Sequence, residues 1–156
     1  MTINCVSRKQ VRRTLCFLIF LAVHAGVQAE EPFSEAKPFA EEFLLLQLSD
    51  NEAAKQNMAL SVAANLLEFY GPDMIDIEIT TFGPGVELLY ADNSRLEKIT
   101  SLMAQGVRFS VCINTIKSIE RNTGERPELH PQSIPVDVGV AHILERVAQG
   151  YVLVRP

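Results

Sequence analysis

The chain has 156 residues, 47% of them apolar and 21% charged, with 14 basic against 19 acidic side chains and a net charge of −5. That composition excludes a disordered or low-complexity chain and fits one ordinary domain with a single core. The acidic balance excludes a nucleic-acid binder, which needs clustered Lys and Arg to meet phosphates.

The first 29 residues read as an export segment. Arg8, Lys9, Arg12 and Arg13 form a positive head, Leu15 to Val27 is a short apolar run, and Val27-Gln28-Ala29 offers small residues for cleavage. The apolar run falls short of the roughly 20 residues that a spanning helix needs, so no stable membrane insertion is expected after cleavage. Cleavage after Ala29 implies a periplasmic protein. It removes Cys5 and Cys16 and four basic residues, leaving ten basic against 19 acidic side chains, a net charge of −9.

Residues 30–42 are charged, hold Pro32 and Pro38, show no period, and read as a flexible lead-in. The domain proper is expected over 43–156. Phe43 to Leu48 is a continuous apolar run, which predicts a strand covered on both faces. Ser49 and Glu52 have capping-box spacing ahead of a helix carrying Met58, Val62, Leu66 and Tyr70, which Gly71-Pro72 ends.

Met74 to Phe82 predicts the second strand. Ile75, Ile77 and Ile79 alternate with Asp76, Glu78 and Thr80, so one face is expected to be partly solvated. Gly83-Pro84-Gly85 is a turn, and a helix follows with Leu96, Ile99 and Met103 on one face, closed by Gly106. Val107 to Ile113 predicts the third strand, with Asn114 or Thr115 capping a helix whose inner face holds Ile116 and Ile119.

After a loop with two prolines, Ile134 to Val136 reads as a short strand. Asp137 is placed to cap a last helix presenting Val140, Ile143, Leu144 and Val147 to the core, and Tyr151 to Val154 closes the chain as a strand. Strand and helix alternate throughout. The expectation is a single-domain three-layer α/β/α sandwich around a mostly parallel five-stranded sheet.

In open α/β sheets ligands gather outside the carboxyl ends of the strands. Four segments arrive there and supply the candidate site: Ser49 and Asp50; Gly83 and Gly85; Cys112 with Asn114 and Thr115; and Asp137. Cys112 is the candidate catalytic residue, since a thiol at a helix N-terminus meets free backbone N–H groups that favour the reactive thiolate. Its alternative role is that of a small apolar core residue. An exported protein with one unpaired thiol also admits an intermolecular disulfide. Chemistry at this sulfur requires that it lie open to solvent at the rim of the sheet. The remaining candidates have ordinary duties as caps and turns. His130 and His142 give no close ligand pair with Cys112, so no metal and no cofactor are expected.

Leu46-Gln47-Leu48-Ser49-Asp50, Asp76-Ile77-Glu78-Ile79 with Phe82-Gly83-Pro84-Gly85, Gly106-Val107-Arg108-Phe109 leading to Cys112-Ile113-Asn114-Thr115, and the closing Gly150-Tyr151 with Pro156 form an ordered set. From about Phe43 to Pro156 the chain resembles the DsrE/DsrF-like family, in its exported, uncharacterised branch. The resemblance implies a compact α/β sandwich assembled with itself or with related subunits. It also implies a cysteine, matched here by Cys112, that accepts sulfur as a persulfide from a sulfane donor and passes it to a thiol. The relay members of that family are cytoplasmic. An exported chain with no second cysteine would need a resolving thiol from another molecule. The non-catalytic alternative is a small-ligand or assembly module in which Cys112 is packing.

Overall fold

The computed structural model describes residues 37–156. The export segment, Cys5, Cys16 and the first part of the lead-in lie outside the described residues. In chain order the elements are β1 (Glu42–Leu48), α1 (Ala53–Tyr70), β2 (Ile75–Thr81), a 3-10 helix (Gly83–Leu89), α2 (Leu96–Ala104), β3 (Arg108–Cys112), α3 (Ile113–Thr123), β4 (Ile134–Val136), α4 (Gly139–Ala148) and β5 (Val152–Val154).

The five strands form one sheet in the order β4-β3-β2-β1-β5, and every pairing is parallel. Four strands step in one direction, from β1 to β4. The chain then reverses, and α4 crosses back over the sheet to set β5 beside β1. Crossovers of one hand put helices on one face while the chain steps one way, and on the other face when it turns back. α4 accordingly packs on β1, β2 and β3 from the face opposite the main core.

Strand alternation divides the side chains between those faces. Leu44, Leu46, Ile77, Ile79, Phe109 and Val111 belong to the main core, with Leu60, Ala63 and Leu67 of α1, Ile99 and Leu102 of α2 and Ile116 of α3. The α4 face has a smaller apolar cluster of Leu45, Ile143 and Tyr151. The expected three-layer α/β/α architecture is what the chain adopts, and β1 is covered on both faces as its sequence predicts.

Four local expectations are corrected. The polar side of β2 is not solvated: all seven of its residues are buried, because β2 is the middle strand and α4 lies over it. α4 is rotated from the expected stripe. Gly139, Ile143 and Arg146 face inward, while Val140, Leu144 and Val147 are exposed. The predicted caps are not used. Glu52, Cys112 and Val138 occupy the N-cap positions of α1, α3 and α4, none with a side-chain cap hydrogen bond. Residues 37–41 are tied to the domain, with the Lys37 N–H donating to Asp76 Oδ2 at 3.1 Å and the Glu41 N–H donating to the Met74 carbonyl at 2.9 Å.

Candidate functional site

β3 and β4 are neighbours whose following helices leave toward opposite faces, α3 to the main-core side and α4 to the other. Adjacent strands with diverging connections open a crevice at their carboxyl ends, the topological switch point of an open sheet. Cys112 ends β3 in that crevice.

Two helix N-termini therefore meet one sulfur. Cys112 is itself the N-cap of α3, in extended conformation at φ −71° and ψ 108°. Gly139, the first residue of α4, donates its backbone N–H to Cys112 Sγ at 3.3 Å. Asn114 and Thr115 follow Cys112 in the first turn of α3. Burial pushes the thiol pKa up. Hydrogen bonds from the Thr115 hydroxyl, the Gly139 N–H and the first turn of α3 outweigh it and bring the pKa below that of an ordinary thiol. The protonated thiol has a weak acceptor of its own, the Asp137 carbonyl at 3.9 Å.

Gly139 permits this close approach. A Cβ there would lie 3.0 Å from the Phe82 Cβ and 3.3 Å from the Cys112 Cβ. The Asn114 N–H donates to the Asp137 carbonyl at 3.1 Å and ties the start of α3 to the β4–α4 loop. The expectation of an open sulfur is not met: Cys112 is 4% exposed. Its polar contacts are the Gly139 N–H and the Asp137 carbonyl.

The Asp137 backbone thus meets the sulfur, and Asn114 and Thr115 stand in the first turn of α3 beside it in sequence. Gly83 joins them through its N–H, which donates to Thr115 Oγ1 at 3.1 Å. Gly83 sits at φ +53°, a left-handed conformation suited to glycine. Gly85 serves packing, since a Cβ there would come within 2.2 Å of the Leu48 carbonyl oxygen. Ser49 and Asp50 form a separate polar group. Asp50 pairs with Lys55 at 2.9 Å and with Arg155 at 3.3 Å. His130 bonds Thr100 of α2 at 3.2 Å, whereas His142 lies on the α4 face, so the two histidines do not share a site.

A cavity of about 330 Å³ lies between the 3-10 helix and the first turns of α3, and Cys112 is not among its lining residues. Thr115 lines it, together with Asn51, Gly83, Glu87, Ser118 and Asn122.

The sequence analysis missed a buried charged network on the α4 face. It starts beneath Ser110, two residues before Cys112. The Glu78 carboxylate lies 2.5 Å from His142 Nε2, accepts from Ser110 Oγ at 2.6 Å, and pairs with Arg146 Nε at 2.8 Å. Arg108 pairs with Asp76 at 2.9 Å and with Glu78 at 3.5 Å, and donates to the Tyr151 hydroxyl at 2.7 Å. Burial pushes the Glu78 carboxyl up. Hydrogen bonds from His142 and Ser110 and the charge of Arg146 outweigh burial and hold it at about 2. Two carboxylates face two guanidinium groups, so the set is compensated. Removing one member would leave a buried charge without its counterpart, which costs far more than an exposed pair. The signal in the sequence was a set of opposite charges at inward positions: Asp76, Glu78 and Arg108 by strand alternation, and His142 and Arg146 four apart on one helix.

No protein-family model matches the chain, and no curated protein matches it. Among solved structures the chain is similar to MTH1491 from Methanobacterium thermoautotrophicum, a protein of unknown function. The identity is 26%, the match covers 74% of this chain and 100% of that one, and the TM-score is 0.66. This likeness supports the α/β fold and leaves function to be argued from the site.

Proposed function

We propose that this chain is an exported, periplasmic sulfur-handling protein of DsrE-like type that carries a persulfide on Cys112. The observation that carries the reading is the convergence of α3 and α4 on one sulfur, with a lowered thiol pKa. The Cys112 thiolate attacks the sulfane sulfur of a polysulfide or of thiosulfate. A bond forms between Sγ and that sulfur, the donor's S–S bond breaks, and the shortened polysulfide or sulfite leaves with the electron pair. The negative charge moves to the terminal sulfur of the persulfide, near the Gly139 N–H and the positive N-terminal ends of α3 and α4. A thiol from another molecule then collects the sulfur. The test is mass spectrometry of the Cys112 peptide after the full chain meets thiosulfate or polysulfide. A gain of one sulfur atom, absent from Cys112→Ser, supports the reading; an unmodified peptide with both donors refutes it.

A different observation favours an assembly module in which Cys112 is packing. Val140, Leu144 and Val147 on α4 are exposed, as is Leu153 of the edge strand β5, which pairs with Leu45 of the α4 face. The partner that this reading names is a second copy of the chain, since an apolar stripe is self-complementary across a two-fold axis. Sedimentation decides: Leu144→Lys should dissociate the assembly, while Cys112→Ala should leave it intact.

A further inference from the structure

Cys112 is buried, so any reagent must reach its sulfur through a neighbouring space, and one residue belongs to both. Thr115 lines the cavity of about 330 Å³, and its hydroxyl is among the groups that hold the sulfur's pKa down. The same hydroxyl accepts from the Gly83 N–H. Thr115 stands in the first turn of α3, the helix that Cys112 begins, so the cavity wall and the sulfur share that turn.

The lining of the cavity is chemically selective. Among the described residues that line it, Glu87 is the carboxylate and none has a cationic side chain. Glu87 is fixed in place, since Asn51 Nδ2 lies 3.1 Å from both of its oxygens. The other polar groups are the amides of Asn51 and Asn122 and the hydroxyls of Thr115 and Ser118. A carboxylate held at a half-buried position attracts an ammonium group and repels an anion. Val86 and Ile119 supply an apolar floor suited to a short methylene chain.

We propose that this cavity is the docking site of the small sulfur compound that exchanges with Cys112, and that Glu87 selects an ammonium-bearing member of the class, an aminothiol or its disulfide or persulfide. The inference rests on the reading of Cys112 as a reactive thiolate and specifies what that thiolate meets. Selectivity sits on the 3-10 helix, away from the sulfur, so it can be removed without touching the nucleophile.

The test uses three methanethiosulfonates of similar size: methyl (neutral), 2-aminoethyl (cationic) and 2-sulfonatoethyl (anionic). In each case the thiolate attacks the sulfenyl sulfur, a mixed disulfide forms, and methanesulfinate leaves with the electron pair. Rates are read on the Cys112 peptide of the full chain by mass spectrometry, each divided by the rate of the same reagent with 2-mercaptoethanol. The expected result is a cation-over-anion preference of about fivefold or more, which Glu87→Gln reduces toward parity while the neutral rate stays unchanged. Ser118→Trp, which fills the cavity, should slow all three reagents. Parity of the normalised rates in the parent chain, or a preference that Glu87→Gln leaves intact, overturns the selectivity and leaves the reactive-thiol reading standing. A neutral rate untouched by Ser118→Trp overturns the route. Failure of the neutral reagent to label Cys112 at all overturns both the route and the thiolate reading.

Discussion

The backbone N–H of Gly139 donates to Cys112 Sγ at 3.3 Å, joining positions 27 residues apart in the chain. This contact brings the start of α4 onto the sulfur of the residue at which α3 begins. It exists because the chain reverses direction after β4, so that consecutive helices begin on either side of one crevice. Each terminus contributes backbone donors with the partial positive charge of a helix N-terminus. A Cβ at Gly139 would stand 3.0 Å from the Phe82 Cβ and 3.3 Å from the Cys112 Cβ, tighter than ordinary contact.

Gly139→Ala should therefore raise the thiol pKa. The added methyl group meets the Phe82 and Cys112 Cβ atoms, pushes the start of α4 away and lengthens the N–H to sulfur contact. The pH dependence of iodoacetamide alkylation, read on the Cys112 peptide, should shift to higher pH. Overpacking of this kind should cost roughly 1–3 kcal/mol of stability in denaturant titration. An unchanged alkylation profile would show that Gly139 does not set the sulfur's acidity.

Thr115 separates chemistry from packing in another way. Thr115→Val keeps the shape and removes the hydroxyl that lowers the Cys112 pKa and accepts from Gly83. The alkylation profile should move to higher pH, with a stability loss of about 1–2 kcal/mol for the Gly83 N–H left without its acceptor. Thr115→Ser should restore both. If the serine and valine variants behave alike, the hydroxyl has no part in either effect.

The Glu78 carboxyl is held at about 2 in the folded chain against an ordinary value of 4.5. A depressed carboxyl stabilises the fold fully above its unfolded pKa and loses that contribution as pH falls through the folded value. Stability should drop between about pH 4.5 and pH 2, by on the order of 3 kcal/mol from this group. Urea titrations across that window should show a steep acid limb in the parent chain and a shallower one in Glu78→Gln. The variant should also be less stable at pH 7, because Arg146 loses its buried partner. Equal acid limbs in the two proteins would refute the assignment.

Gly85 was a candidate binding residue and is a packing residue. Gly85→Ala places a Cβ 2.2 Å from the Leu48 carbonyl oxygen, against backbone that cannot rotate away, and should cost more than about 3 kcal/mol. Thermal unfolding should show a large drop, with the alkylation profile of the folded fraction unchanged. A mild effect would mean that the 3-10 helix moves easily from the end of β1.

Apolar runs and glycine stops placed the five strands and the four α-helices within a residue or two, because β-branched runs and helical spacing express local burial that a sequence carries openly, whereas the 3-10 helix Gly83–Leu89 was read as a turn and a short segment. The same patterns identified Cys112 at a strand-to-helix junction, since alternation and helical period change there. Neither pattern reveals which elements come to cover one another. Asp76, Glu78 and Thr80 looked like a wet strand face, yet the return of α4 across the sheet buried them against Arg108, His142 and Arg146. Opposite charges far apart in a chain read as solvated until the fold sets them side by side. The rotation of α4 was equally hidden, because its apolar stripe and its inward polar side chains compete for one position and tertiary charge pairing decides between them. Local sequence thus determined the elements and the position of Cys112 among them. The direction of the chain after β4, a non-local matter, decided what surrounds the sulfur.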